Sequence, residues 1–468
     1  MTAFFNVPIR RRQILLFVVD LGLLLLTLML AFVIARFAKF NILFVLDRFT
    51  IACVIYFTVY CLVFFVGQLY DVESRYEETM RSFLYICGLV LVANLIISMA
   101  FYFFPSWRIA RRVMAIQAPL AALVIYGWRR VDAWVSRGLV SARRVLLVGA
   151  GETMASLIQD LNEGYAPEYA MIGVIDDDPA KTGRDFGGIP VLGGTAALRD
   201  VVARERIEII VFSPGYSSAA NGSTVRSVLE LKARGVKVYE LATFYMRVTG
   251  KVPVRYIEDQ WLLFYQDFAG ITRADEKNLK RLMDIEIAAS SLTLLSPLLL
   301  LTAALVKLTS RGPVLYRQER VGLDKTRYEL LKFRTMRVDA ERAGEPRWAS
   351  YNDERVTTLG RLMRRLRLDE LPQFINVLRG EMSVIGPRPE RPHFVDLLEK
   401  DIPYYSLRFA AKPGLTGWAQ VNYRYGASVD DAHTKLQYDL YYVQEMSPFL
   451  DLVILLKTFQ TVLFRPGY

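Results

Sequence analysis

Four apolar runs fill most of the first 128 residues, near Ile14 to Ala35, Phe49 to Gly67, Phe83 to Phe104 and Val113 to Trp128. A helix needs about 20 mainly apolar residues to cross the hydrocarbon of a bilayer, so this part of the chain is expected in lipid, with the fourth run the shortest. An even number of crossings returns the chain to its starting side. Arg10, Arg11 and Arg12 before the first run, and Arg129, Arg130, Arg137, Arg143 and Arg144 after the fourth, place both ends in the cytoplasm. Arg108, Arg111 and Arg112 act weakly the other way. The first run follows its arginines as a signal peptide would, yet it continues to about Phe37 without a small-residue cleavage site, so it is expected to stay attached as an anchor.

The rest of the chain must be partly aqueous, because 468 residues that are 53% hydrophobic still carry 22% charged side chains. A net charge of +11 suits an anionic membrane leaflet and phosphate-bearing substrates. A nucleic-acid partner is not expected, since basic and aromatic residues are not interleaved in a surface motif. Cys53, Cys61 and Cys87 lie inside apolar runs and read as small hydrophobes. The two histidines, His393 and His433, are too far apart in sequence to suggest a histidine-based metal cluster.

After Arg144 the pattern VLLVGAGETMASLIQDL gives a short strand, a glycine turn and a helix, followed by strands ending at Asp176 and spanning Ile209 to Phe212. This is a Rossmann-like α/β unit. Gly149 and Gly151 can bring backbone amides close to a pyrophosphate, and Asp176 stands where a ribose-binding acid would. Met154 and Ala155 occupy the place of the third glycine, and Asp176, Asp177 and Asp178 together would repel phosphate. A nucleotide site and a purely structural unit stay equally open.

A polar and aromatic connector follows, and Lys280 and Arg281 then introduce the apolar stretch Ile287 to Leu308. Pro297 removes a backbone donor and clashes with the preceding turn, while Ser296 can re-satisfy freed carbonyls, so a kink is expected there. The segment by itself fits a kinked spanning helix or a re-entrant one.

Arg367 to Pro389 reads RLDELPQFINVLRGEMSVIGPRP, with Asp369 and Glu370 adjacent and arginines on both sides. Phosphoryl chemistry uses a carboxylate as nucleophile or Mg2+ ligand and guanidinium groups on phosphate oxygens. Taken alone, the same acids could be solvated helix-end groups paired with Arg364, Arg365 and Arg367. Three further blocks accompany them: KFRTM at Lys332 to Met336, NDERVTTLGRLMRR at Asn352 to Arg365, and PGLTGWAQ at Pro413 to Gln420.

In this ordered set of motifs the region from about Lys277 to Tyr468 resembles the bacterial sugar transferases, the polyprenol phosphate sugar-1-phosphate transferases. The resemblance implies transfer of a sugar 1-phosphate from a UDP-sugar to undecaprenyl phosphate, with UMP as leaving product, in the initiating step of exopolysaccharide, capsule or O-antigen synthesis. It implies Asp369 as nucleophile through an aspartyl phosphosugar, and a Mg2+ site shared by Asp369 and Glu370. Arg334, Lys332, Arg388 and Arg365 are then candidates for phosphate binding. Ser296 and Pro297 become the kink of a re-entrant helix, which keeps the Asp369 domain on the cytoplasmic face of the bacterial inner membrane.

Two other classes stay open. A membrane-anchored nucleotide-sugar dehydratase or epimerase shares the order of spans and Rossmann unit, but its Tyr-x-x-x-Lys falls here at Tyr328 to Lys332, outside the nucleotide domain. A non-catalytic nucleotide-sugar sensor or scaffold would make Asp369 and Glu370 dispensable. Trp418 is expected in packing, Asp353 and Arg355 as a supporting pair or a helix cap, and Asp439 to Phe464 as one amphipathic or core helix. The expected fold is a multi-domain membrane protein. A four-helix transmembrane region (1–135) precedes a Rossmann-like α/β domain (140–250) and a connector (251–276). The mostly α transferase domain (277–468) stands on a re-entrant helix at about 281–309. A homodimer is expected of such a bundle.

Overall fold

The computed structural model describes residues 11–35, 42–67, 69–70, 79–103, 111–139, 142–151, 154–155, 158–159, 169–213, 222–257, 274–336, 355–423 and 428–464. The chain divides into two compact units, Ile9–Ser141 and Ala142–Tyr468.

The first unit contains four helices: α1 (Arg11–Ile34), α2 (Ile42–Val66), α3 (Thr79–Phe103) and α4 (Arg111–Leu139). Its interior holds Leu24, Leu28, Tyr56, Tyr60, Phe64, Ile86, Ile97 and Ile125, while Leu26, Leu30, Leu91 and Leu95 point outward. That outward apolar surface is stable only against lipid. Leu15–Ile34 and Ser82–Phe103 are long and apolar enough to cross a membrane, and Ala52–Val66 is apolar but shorter. Arg129, read from the sequence as a cytoplasmic flanking charge, instead lies buried in α4 and pairs with Asp20 of α1 at 2.5 Å.

The second unit begins with a six-stranded sheet in the order β3-β4-β2-β1-β5-β6. Its strands are β1 (Arg143–Val148), β2 (Tyr169–Ile175), β3 (Asp185–Phe186), β4 (Ile189–Gly193), β5 (Ile209–Phe212) and β6 (Lys237–Glu240). All neighbours pair in parallel except β3 with β4. β1 and β5 are near-continuous β-branched and leucine runs, as strands covered on both faces must be. Val145, Leu147, Val174, Ile209 and Val211 face one core. Leu146, Val148, Ile175, Ile210 and Phe212 face the other. Helices α5 (Leu198–Arg204), α6 (Gly222–Ala233) and α7 (Leu241–Thr249) complete the described part. The sequence reading found β1, β2 and β5 but missed β3, β4 and β6, which are short; β3 has two residues, β6 four with a lysine and a glutamate at its ends, and β4 contains Pro190.

The connector lies largely outside the described residues. Beyond it, α8 (Ala274–Leu294) and α9 (Ser296–Thr309) form a broken apolar pair bent by 63°. Pro297 sits in the first turn of α9, where its missing N–H has no helical partner to lose, and the Ser296 hydroxyl donates to the Thr293 carbonyl at 2.8 Å. An antiparallel hairpin, β7 (Leu315–Val321) and β8 (Arg327–Phe333), leads to α10 (Thr358–Arg365), a 3-10 turn at Leu368–Glu370, α11 (Gln373–Arg379), β9 (Ser383–Ile385) and α12 (Pro392–Asp401). Then come β10 (Gly414–Thr416), parallel to β9, and helices α13 (Trp418–Asn422), α14 (Val429–Glu445) and α15 (Pro448–Phe464). The run Asp439 to Phe464 is therefore two helices, because Pro448 cannot continue α14 and instead opens α15.

Two glycines explain why the motifs occur together. A Cβ on Gly360 of α10 would lie 2.1 Å from the Thr335 carbonyl oxygen, so KFRTM docks directly on the TLGR helix. A Cβ on Gly386 would lie 2.1 Å from the Lys412 carbonyl oxygen, so Gly-Pro-Arg-Pro docks on the PGLTG strand. Trp418 is buried, stacks on Tyr441 and donates Nε1–H to the Gly250 carbonyl at 2.9 Å, joining this region to the end of α7.

Candidate active site

Helix α10 ends in basic residues, and Arg367 then adopts a left-handed conformation at φ 53°. For a residue with a Cβ this conformation costs of order 1 kcal/mol. It turns the chain inward, so that Asp369 is buried and Glu370 is nearly so. Asn376 of α11, itself fully buried, fixes the turn against the hairpin: its Oδ1 accepts from the Leu331 N–H at 3.0 Å and its Nδ2 donates to the Glu329 carbonyl at 2.7 Å.

Three cations converge on Glu370. Arg388 Nη2 donates to Oε1 at 3.1 Å, Lys332 Nζ lies 3.5 Å from the same oxygen, and Arg367 Nη1 lies 3.6 Å from Oε2. Burial works to raise the Glu370 carboxyl, but Arg388, Lys332 and Arg367 outweigh it and bring it down to about 2. Asp369 shifts the other way: burial and the adjacent Glu370 charge raise it, with Lys332 and Arg364 opposing. Burial lowers Lys332 despite Glu370. The geometry thus separates two neighbouring acids into a fixed anion and a carboxylate that is less comfortably charged, inside a ring of cations.

The predicted residues do not all meet here. Lys332 and Arg388 do. Arg334 is buried and donates through Nη2 to the Ser310 carbonyl at 3.0 Å and hydroxyl at 2.8 Å. Arg365 is exposed on α10, and no contact among the described residues brings it to the acid pair. Asp353 lies outside the described residues. Arg364, not singled out for phosphate binding, donates from Nε to the Thr335 hydroxyl at 3.0 Å and acts on Asp369.

Sequence reasoning also missed the support behind Arg388. Buried Arg408 donates to the Arg388 carbonyl at 2.9 Å, to Tyr405 Oη at 2.6 Å and to Asp439 Oδ2 at 2.7 Å. Asp439 in the apolar run YDLYY was the available signal, since an acid in such a run must be paired.

No group of three or more His, Cys, Asp or Glu able to hold a metal exists among the described residues. Mg2+ commonly takes only one or two protein carboxylates and completes its shell with substrate phosphate and water. Two adjacent carboxylates, one held ionised, fit that donor set.

In the α/β unit, Gly149 has φ 96° and donates to the Ile175 carbonyl at 2.8 Å. The Ala150 N–H donates to Asp176 Oδ2 at 2.6 Å, and Lys181 Nζ reaches the same oxygen at 3.2 Å and the Ala150 carbonyl at 3.0 Å. Burial opposes the charge on Asp176, but the Asp178 and Ala150 amides and Lys181 hold it below the usual aspartate value. The acid placed by sequence for a ribose therefore occupies the turn's own amide, between Gly149 and Gly151. Tyr328 and Lys332 both stand on strand β8, where four residues span ~13 Å, so they cannot act as the close pair that Tyr-x-x-x-Lys forms on a helix.

Residues 275–465 match the bacterial sugar transferase family, and residues 68–214 match a CoA-binding domain, which fits the α/β part. An undecaprenyl-phosphate N-acetylgalactosaminephosphotransferase of Aeromonas hydrophila is 41% identical over 49% of this chain and 52% of its own length. An undecaprenyl-phosphate glucose phosphotransferase of Komagataeibacter xylinus is 34% identical over 69% of this chain and 59% of its own. A UDP-glucose:undecaprenyl-phosphate glucose-1-phosphate transferase of Caulobacter vibrioides is 42% identical over 39% of this chain and 69% of its own. The chain belongs to the bacterial sugar transferase family. Its matches span 52% and 59% of the Aeromonas and Komagataeibacter relatives.

Proposed function

We propose that this protein transfers a sugar 1-phosphate from a UDP-sugar to undecaprenyl phosphate, giving undecaprenyl-diphosphate-sugar and UMP. The observation that carries the reading is the acid pair, buried Asp369 and nearly buried Glu370, with Arg388 at 3.1 Å, Lys332 at 3.5 Å and Arg367 at 3.6 Å from Glu370. An Asp369 oxygen attacks the β-phosphorus of the donor, the bond from that phosphorus to the bridging oxygen breaks, and UMP leaves with the electron pair. Lys332 and Arg388 neutralise the oxygens where charge gathers. An oxygen of the lipid phosphate then attacks the same phosphorus, and the Asp369 carboxylate is released unchanged. Asp369 and Glu370 would hold a Mg2+, which supplies charge neutralisation to the diphosphate.

In this reading four N-terminal spans and a re-entrant α8–α9 pair keep the transferase domain at the cytoplasmic face of the bacterial inner membrane, in a homodimer, where it initiates exopolysaccharide, capsule or O-antigen synthesis. The 63° bend at Ser296–Pro297 supports the re-entrant geometry. UMP release from a panel of UDP-sugars, by protein in nanodiscs with Mg2+ and with or without undecaprenyl phosphate, tests the reading. Turnover with one sugar that vanishes in Asp369→Asn supports it, and no turnover with any sugar by well-folded protein overturns it.

A further inference from the structure

Arg334 is 8% exposed, and its Nε and Nη1 have no hydrogen-bond partner among the described residues, while Nη2 is held by Ser310. A buried guanidinium with two unanswered N–H groups is unfavourable unless an anion completes it. Its position says which anion. Ser310 is the C-cap of α9, and on that helix Leu301, Leu305 and Leu308 repeat at four and three residues, forming one exposed stripe that ends beside Ser310. Arg334 stands two residues beyond Lys332 on extended backbone, so the two side chains leave the chain on the same side, ~7 Å apart. One cation therefore serves the acid pair, and the next lies where an apolar stripe stops.

We propose that Arg334, anchored by Ser310, binds the phosphomonoester of the isoprenoid acceptor, whose tail follows the Leu301–Leu305–Leu308 stripe, and takes no part in binding the nucleotide donor. The assignment rests on the transferase reading above and divides its phosphate sites. Lys332 and Arg388 meet the donor diphosphate, and Arg334 holds the attacking phosphate one strand-repeat away. The two open donors, Nε–H and Nη1–H, lie on opposite edges of the guanidinium, so one of them meets a phosphate oxygen and leaves the other oxygens to attack.

The test measures binding separately from turnover. Protein in phosphatidylcholine nanodiscs is titrated with undecaprenyl phosphate, bound lipid is counted by native mass spectrometry, and acceptor and donor KM are measured alongside. Arg334→Gln is expected to weaken acceptor binding and raise acceptor KM by on the order of tenfold or more, as loss of charge-assisted hydrogen bonds requires, with donor KM within about twofold of wild type. Arg334→Lys should restore part of the affinity. Ser310→Ala, which keeps the guanidinium and removes its anchor, should weaken acceptor binding by a few-fold.

Unchanged acceptor affinity in both Arg334→Gln and Ser310→Ala overturns the proposal, as does a donor KM that rises in parallel. Displacement of the isoprenoid by equimolar inorganic phosphate or phosphatidic acid would overturn the lipid assignment. Lipid binding that depends on Arg334 in a protein without turnover would sustain this inference while the transferase reading fell.

Discussion

Two turns of this protein place a buried aspartate beside a lysine, and they differ in what remains for a ligand. At Asp176 the partners are the turn's own amides and one lysine, so donors and acceptors match within the fold. At Asp369 and Glu370 the surrounding cations crowd onto Glu370, while Asp369 is pushed toward its neutral form. A self-satisfied turn stabilises its strands. A turn with surplus positive charge and one strained carboxylate is poised for an anionic substrate.

The largest expected effect separates the two turns at once. Asp369→Asn should lower transfer by on the order of 10^4-fold, as loss of a covalent nucleophile does, with the far-ultraviolet circular dichroism spectrum unchanged. Arg388→Ala should follow with a loss on the order of 10^2-fold, read in steady-state rates, because it removes both a phosphate contact and the principal cation on Glu370.

Acid titration distinguishes the carboxylates next. Glu370 lies at about 2 in the folded protein against an ordinary value of 4.5, so its stabilising contribution is complete above 4.5 and is lost as pH falls toward 2. Glu370→Gln should flatten acid unfolding across that window, followed by tryptophan fluorescence. Asp369 carries the opposite shift, so transfer should begin to fail at a pH above the ordinary aspartate value of 3.8, while the fold persists. Asp176→Asn should show the smallest effect, about 1 kcal/mol in denaturant unfolding with transfer unchanged within about twofold. A large loss of transfer there would break the comparison.

Much of this was legible in the sequence because the signals were long or chemically loud. β1 and β5 announced themselves as unbroken apolar runs, and Ser296-Pro297 marked the bend. Lys332 and Arg388 were found with the acids because KFRTM and Gly-Pro-Arg-Pro belong to the motif set that carries the resemblance, and in the fold these motifs dock through Gly360 and Gly386. The rest depended on contacts distant in sequence. Arg408 reaches Asp439 across 31 residues, and Asn376 reaches Leu331 across 45. Nothing local separates Arg334, which turns to Ser310, from Lys332, which turns to Glu370. The spacing placed Asp176 at the glycine turn, and its partner Ala150, 26 residues away, shows that this acid also closes the turn.

The most direct measurement is intact-protein and peptide mass spectrometry of the enzyme after incubation with its UDP-sugar and Mg2+ in the absence of lipid acceptor. Stoichiometric UMP and a sugar phosphate on the peptide containing Asp369 are expected, with the sugar phosphate discharged when undecaprenyl phosphate is added. UMP formed only when acceptor is present, with no adduct under any quench, would show direct transfer between the substrates and contradict a covalent role for Asp369.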